Sequence, residues 1–185
     1  MRLHNPQLAT ALLAVLLASS RGSAEPLALL IAAGIGREVA LNGQVGGDGV
    51  VIQSSEVTCG PAALATLLTG LGTPTTEAEI VELTGLLQVG GATLLSLRDA
   101  AKAKGHDVTG YRFASLEQLG MVACREAVPV LVHYEAPQKH FVVFLGTVGD
   151  EVVVDDPAVG RLALGTDEFL RRWSGVGLVV KQRPG

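Results

Sequence analysis

Apolar and polar positions divide the chain into stretches of different spacing. Leu8–Ala18 is a run of 11 mostly apolar residues, preceded by Arg2 and His4 and followed by the small residues Gly22-Ser23-Ala24. Leu27–Ile35 fits a short strand or a helical turn, and Gly43–Gly49, with four glycines, reads as a loop. Residues 25–50 therefore form an N-terminal segment whose structure the pattern leaves open. After Gln53 the pattern sharpens. Cys59-Gly60-Pro61 leads into the Ala- and Leu-rich run Ala62–Leu71, and proline suits a first helical turn because its missing N–H would have no partner there. Thr76 with Glu79 forms a capping box ahead of Ile80, Leu83 and Leu87, and Thr93 caps a further helix through Lys104 that stops at Gly105.

The second half changes period. Ser115 with Gln118 reads as another capping box, starting a short helix to about Arg125. Val128–Tyr134, His140–Gly146 and Glu151–Asp155 are then rich in β-branched and aromatic residues, and Gly149-Asp150 between the last two predicts an antiparallel hairpin. Thr166 is placed to cap a last helix carrying Phe169 and Trp173, and Val176–Val180 closes as a strand. Helices first and strands afterwards is the α+β pattern: N-terminal helices packed on a small antiparallel sheet, one domain over residues 51–181.

Length and composition narrow the function. The chain of 185 residues is 48% apolar and 17% charged with a formal charge of −4, which excludes an acidic disordered tail and a nucleic-acid binder working through a basic face. Two cysteines cannot build a disulfide scaffold, four histidines leave little material for a metal cage, and nothing calls for a cofactor. The N-terminal run has the layout of a signal peptide over residues 1–24, with cleavage expected after Ala24 ahead of Glu25-Pro26. Eleven residues fall short of the roughly 20 that a spanning helix needs. Export to the periplasm or beyond is the expectation, with membrane association only if the segment stays uncleaved. Loss of Arg2 and Arg21 takes the formal charge from −4 to −6.

Chemistry must come from few side chains. Cys59 stands where a helix begins, and free N–H groups together with the positive end of the helix dipole lower a thiol's pKa there. The competing reading is a buried structural cysteine, but Gly60 and the polar run Gln53–Thr58 do not look like core packing. For Cys124, following Leu116, Leu119 and Ala123 on a short helix, the structural reading is preferred. A cysteine nucleophile needs a base. His140 heads an apolar strand, His133 inside another strand is its rival, His106 reads as a solvated turn residue, and His4 leaves with the signal. Asp155-Asp156-Pro157 ends the strand after that of His140 and offers a carboxylate to orient an imidazole, although Asp-Pro also simply terminates strands. Gln53, six residues before Cys59, can supply a side-chain N–H that pairs with the Cys59 backbone N–H as an oxyanion hole.

Taken together, Gln53, Cys59-Gly60-Pro61-Ala62-Ala63-Leu64, His140-Phe141-Val142-Val143, Asp155-Asp156-Pro157-Ala158-Val159-Gly160 and Phe169 through Trp173-Ser174-Gly175 resemble the C39 family of papain-like cysteine peptidases. The resemblance spans about Val51 to Val180 and implies a papain-like fold. It implies Cys59 as nucleophile, His140 as general base and acid, Asp156 as orienting group because the family places its Asp directly before Pro, and Gln53 as oxyanion donor. The best-known members are N-terminal domains of bacteriocin-exporting transporters that cut leader peptides after a double glycine. This chain contains no Gly-x-x-x-x-Gly-Lys-Ser/Thr motif, so it resembles a stand-alone, exported member. The implied partners are a peptide or precursor-protein substrate and a separate secretion channel or transporter. Two other functions are compatible with the residues: a catalytically silent peptide-binding accessory, and acyl transfer to an amine through the same triad.

Overall fold

A computed structural model describes residues 48–85 and 91–182. The expected signal segment, Leu27–Ile35 and most of the glycine-rich loop lie outside the described residues. Helices α1 (Cys59–Gly70), α2 (Glu77–Thr84) and α3 (Leu94–Ala103) come first. Then follow β1 (His106–Arg112), α4 (Leu116–Glu126), β2 (Val130–Tyr134), β3 (His140–Val148), β4 (Glu151–Asp156), β5 (Gly160–Gly165), α5 (Thr166–Arg172) and β6 (Trp173–Gln182). The α+β class is as expected. The sheet is larger than expected: six antiparallel strands in the order β1-β6-β2-β3-β4-β5.

Side-chain alternation along β2 and β3 divides the core in two, because successive residues of a strand face opposite ways. Leu131, Phe141, Val143 and Leu145 face α1, α2 and α3 and pack with Leu64, Leu68, Ile80 and Leu97. Val130, Val132, Tyr134, Val142 and Phe144 face the other way, against Leu119 and Val122 of α4 and Phe169 of α5. The second face is aromatic: the Phe169 ring lies 5.8 Å from Tyr134, 5.5 Å from Trp173 and 6.0 Å from Phe144. Rings at these offsets contribute beyond the area they bury. Among the described residues no helix is long and apolar enough to cross a membrane.

Several local expectations need correction. His106 is not a solvated turn residue: it opens β1, is 2% exposed, and its ring bridges the Lys181 carbonyl (3.1 Å) and Thr73 Oγ1 (3.0 Å). It ties an edge strand to the loop after α1. Strands β1 and β5 are additional to those expected. Thr166 is the first residue of α5 rather than its cap, since Gly165 holds the cap position and the Thr166 amide and hydroxyl both donate to the Asp150 carbonyl. Trp173 begins β6 instead of ending that helix. Ser115 caps α4 by accepting from the Gln118 amide, but Gln118 Oε1 accepts from the Ala114 amide, so the reciprocal half of the box is displaced by one residue.

Candidate active site

Cys59 opens α1, as its Gly-Pro sequel suggests, yet it is not the loosely packed residue its polar neighbours imply. It is 8% exposed and belongs to the first core cluster. The reason lies in Gly60. A Cβ there would come within 3.0–3.1 Å of Ala92, Leu97 and Phe141, so only glycine lets the helix start press against α3 and β3. That contact sets Cys59 beside the head of β3. The thiol hydrogen-bonds to His140 and receives further hydrogen bonds from the backbone of Phe141 and Gly60. Burial, the largest single influence, pushes the thiol upward, but the hydrogen bonds and the charge of His140 prevail and hold it below its ordinary value.

On the other side of the ring, His140 Nε2 lies 2.7 Å from Asp156 Oδ1. Burial disfavours the charged imidazolium, but hydrogen bonds and charge from Asp156 and Cys59 outweigh it and raise His140 to about 9. Asp156 Oδ1 also accepts from the Ala158 amide at 2.8 Å, which steadies the carboxylate through the turn at Pro157. Asp155, the alternative carboxylate, points elsewhere. Arg161 clasps it with Nε at 2.7 Å and Nη2 at 3.1 Å, and the Arg161 amide donates to Asp48.

Gln53 arrives at the same place by a separate route. The Val51 amide donates to Thr66 Oγ1 of α1, and the Gln53 amide donates to the Pro157 carbonyl beside Asp156. Its side-chain Nε2 donates to the Ser55 carbonyl at 2.8 Å, while Oε1 is buried without a partner. One amide hydrogen is thus committed to the local loop. Glu77 of α2, unmarked by sequence reasoning, is 8% exposed and accepts from both the amide and the hydroxyl of Ser54. Its place in the sequence, the first helical position ahead of Glu79, does not single it out, because the helix dipole alone favours an acid there. Of the two other strand-borne histidines, His133 Nδ1 meets Ser174 Oγ at 3.0 Å and His106 is structural. Cys124 stands half-buried on α4 with a free thiol.

A low-lying thiol, a raised imidazole and a carboxylate joined by hydrogen bonds constitute an ion-pair system suited to nucleophilic attack on a carbonyl. Comparison with other proteins agrees with that chemistry. Residues 48–185 match the Peptidase C39 family. An uncharacterized protein of Methanothermobacter thermautotrophicus is 36% identical over 138 residues, 75% of this chain and 92% of that one. The probable functional amyloid protease FapD of Pseudomonas aeruginosa is 33% identical over 143 residues, covering 71% of this chain and 59% of FapD. Among solved structures, a double glycine motif protease from an AMS/PCAT transporter, crystallised with its leader peptide, superposes with a TM-score of 0.63 at 27% identity, over 72% of this chain and 91% of that one. The chain belongs to the Peptidase C39 family and is a cysteine peptidase with the papain-like fold of that family.

Proposed function

We propose that Cys59, His140 and Asp156 form the catalytic triad and that the enzyme cuts a peptide or precursor protein after a Gly-Gly pair during its secretion or maturation. The observation that carries this reading is the hydrogen-bonded chain from Cys59 through His140 to Asp156 at the start of α1. In the resting pair the proton sits on His140 and the charge on Cys59 Sγ. Attack forms a C–S bond and moves the carbonyl π pair onto oxygen. The developing oxyanion takes hydrogen bonds from the Cys59 backbone N–H and the second amide hydrogen of Gln53. Collapse re-forms the carbonyl and breaks the C–N bond as His140 passes its proton to the leaving amine. Water then gives a proton to His140 and its oxygen to the acyl carbon, releasing Cys59 as thiolate.

The double-glycine substrate is supported by the protease crystallised with its leader peptide, and the processing setting by a lactococcin-G-processing and transport protein of Lactococcus lactis that is 28% identical over 139 residues. Export is part of the same proposal, resting on the signal-like layout of residues 1–24. The chemistry is tested by treating reduced protein with iodoacetamide at neutral pH and mapping adducts. Cys59 should be alkylated well before Cys124, and the reverse order would overturn the assignment. In parallel, peptides containing Gly-Gly should yield two fragments whose summed mass gains one water. A product joined to an added amine would instead indicate acyl transfer.

A further inference from the structure

The two donors proposed for the oxyanion stand at the ends of one loop, the Gln53 side chain at its start and the Cys59 amide at its close. Between them Ser54–Val57 is exposed, and exposed backbone keeps one path only where hydrogen bonds hold it. Here they act at three successive residues. The Gln53 amide donates to the Pro157 carbonyl at 2.8 Å. Thr58 Oγ1 accepts from the Ser55 amide at 3.0 Å and donates to the Ser55 carbonyl at 2.9 Å, the same oxygen that receives Gln53 Nε2. Between these, Glu77 Oε1 of α2 accepts from the Ser54 amide at 2.9 Å and from the Ser54 hydroxyl at 3.1 Å.

We propose that Glu77 is a positioning residue for the oxyanion hole, holding through Ser54 the Gln53 amide that serves the developing charge; the inference rests on the triad and oxyanion reading above. What singles Glu77 out is its burial. Glu77 and Glu79 share the first turn of α2, where the helix dipole favours an acid. Glu79 meets that need from solvent, with its side chain 47% exposed, and closes the capping box with Thr76. Glu77 is 8% exposed. A carboxylate withdrawn from water costs free energy that charge-assisted hydrogen bonds offset, and the helix does not require it.

The bonds Glu77 makes to Ser54 act instead on the loop. One oxygen gathers the main-chain and side-chain donors of Ser54, so Gln53 is caught between two anchors, Pro157 on its own amide and Glu77 on the next. The first anchor adjoins Asp156, and the second fixes the loop to a helix that supplies neither the triad nor the oxyanion donors. An oxyanion donor is effective when it is already aimed, because nothing has to be reorganised as the charge appears. Loosening Ser54 therefore weakens the transition state and leaves substrate affinity alone.

Glu77→Leu should lower kcat and kcat/KM on a Gly-Gly peptide together, about 10-fold, with KM changed less than about 2-fold. The inhibition constant of a peptide aldehyde ending in glycinal, whose adduct with Cys59 puts its oxygen in the same hole, should rise by the same factor. Glu77→Gln, which keeps an acceptor oxygen, should stay within about 3-fold of wild type, and Glu79→Gln, which weakens the capping box of the same helix, within about 2-fold. The deciding measurement is a double-mutant cycle. Gln53→Ala alone should cost about 100-fold, and Glu77→Leu added to it less than about 2-fold more. If Glu77→Leu does not fold, Ser54→Ala takes its place: an exposed change that removes one of the two donors should cost about 3-fold, again only while Gln53 is present. No loss, losses that multiply in the cycle, an effect confined to KM, or a Glu77→Gln as damaging as Glu77→Leu overturns the role of Glu77 while the triad stands. Full activity in Gln53→Ala removes the oxyanion reading and this inference with it, and cleavage by Cys59→Ala equal to that of the parent overturns the triad itself.

Discussion

His140 and His133 occupy neighbouring strands, each opposite an aromatic residue of the other: His140 pairs with Tyr134, and His133 with Phe141. Their side chains are almost equally hidden, 13% and 15% exposed. Their protonation nevertheless moves in opposite directions. His133 is lowered, chiefly by burial, and the carboxylate of Glu135, 3.8 Å away and itself exposed, does not offset it. His140 rises to about 9 because Asp156 and Cys59 hydrogen-bond to it from either side. Depth alone favours the neutral ring. What makes an imidazole a strong proton holder is an acceptor held at contact distance by its own backbone support, here the turn Asp156-Pro157-Ala158. At His133 the hydrogen-bonded partner of Nδ1 is a hydroxyl: Ser174 Oγ donates to the His133 carbonyl, so the ring nitrogen 3.0 Å away must be the donor to that oxygen.

The contrast can be broken most severely at His140. His140→Ala should lower kcat/KM on a Gly-Gly peptide by at least about 1,000-fold in a protein whose circular dichroism is unchanged, since the general base and acid are removed together. Asp156→Asn should cost about 100-fold, and it should also move the pH profile. The carboxylate stabilises the protonated ring, so in the parent enzyme the alkaline limb should lie near pH 9 and in the variant it should shift downward. A limb that stays in place would separate Asp156 from the titration of His140. The smallest effect is expected at His133, where alanine should change kcat/KM by less than about 3-fold. A large loss there, with folded protein, would exchange the roles of the two histidines.

The legible parts of the molecule were those in which local chemistry and tertiary role coincide. The Thr76–Glu79 box is present in full, with the Thr76 amide donating to Glu79 Oε2 at 2.7 Å, and Thr93 caps α3 with Ser96 closing the reciprocal bond. Strands β2, β3 and β4 are rich in valine and central or nearly so, and their apolar runs announced them. The two strands missed are the sheet's edges. His106–Arg112 carries Val108, Thr109 and Tyr111 as strand formers but is interrupted by Gly110, and Gly160–Gly165 is bounded by glycines; an edge strand half in water needs no apolar run. At the site, the order of Gln53, Cys59, His140 and Asp156 was visible, whereas Glu77 was not. A glutamate at the start of a helix is favoured by the dipole alone, and only the fold shows that Ser54 is its partner.

One strand carries a consequence for how the protein is made. Cys59, His140 and Asp156 have all been synthesised before Trp173 begins β6, yet β6 inserts between β1 and β2 and is the only strand that β1 pairs with. At Gly177 the insertion is so close that a Cβ would stand 2.7 Å from the Leu131 carbonyl. A nascent chain can therefore contain every reactive group and still lack two of the sheet's five strand pairings, with β1 waiting from His106 until its partner emerges some seventy residues later, roughly the loop to be closed. The six-stranded sheet closes only when β6 is present. A protease built this way can carry all of its reactive groups before it has the strand that joins its sheet.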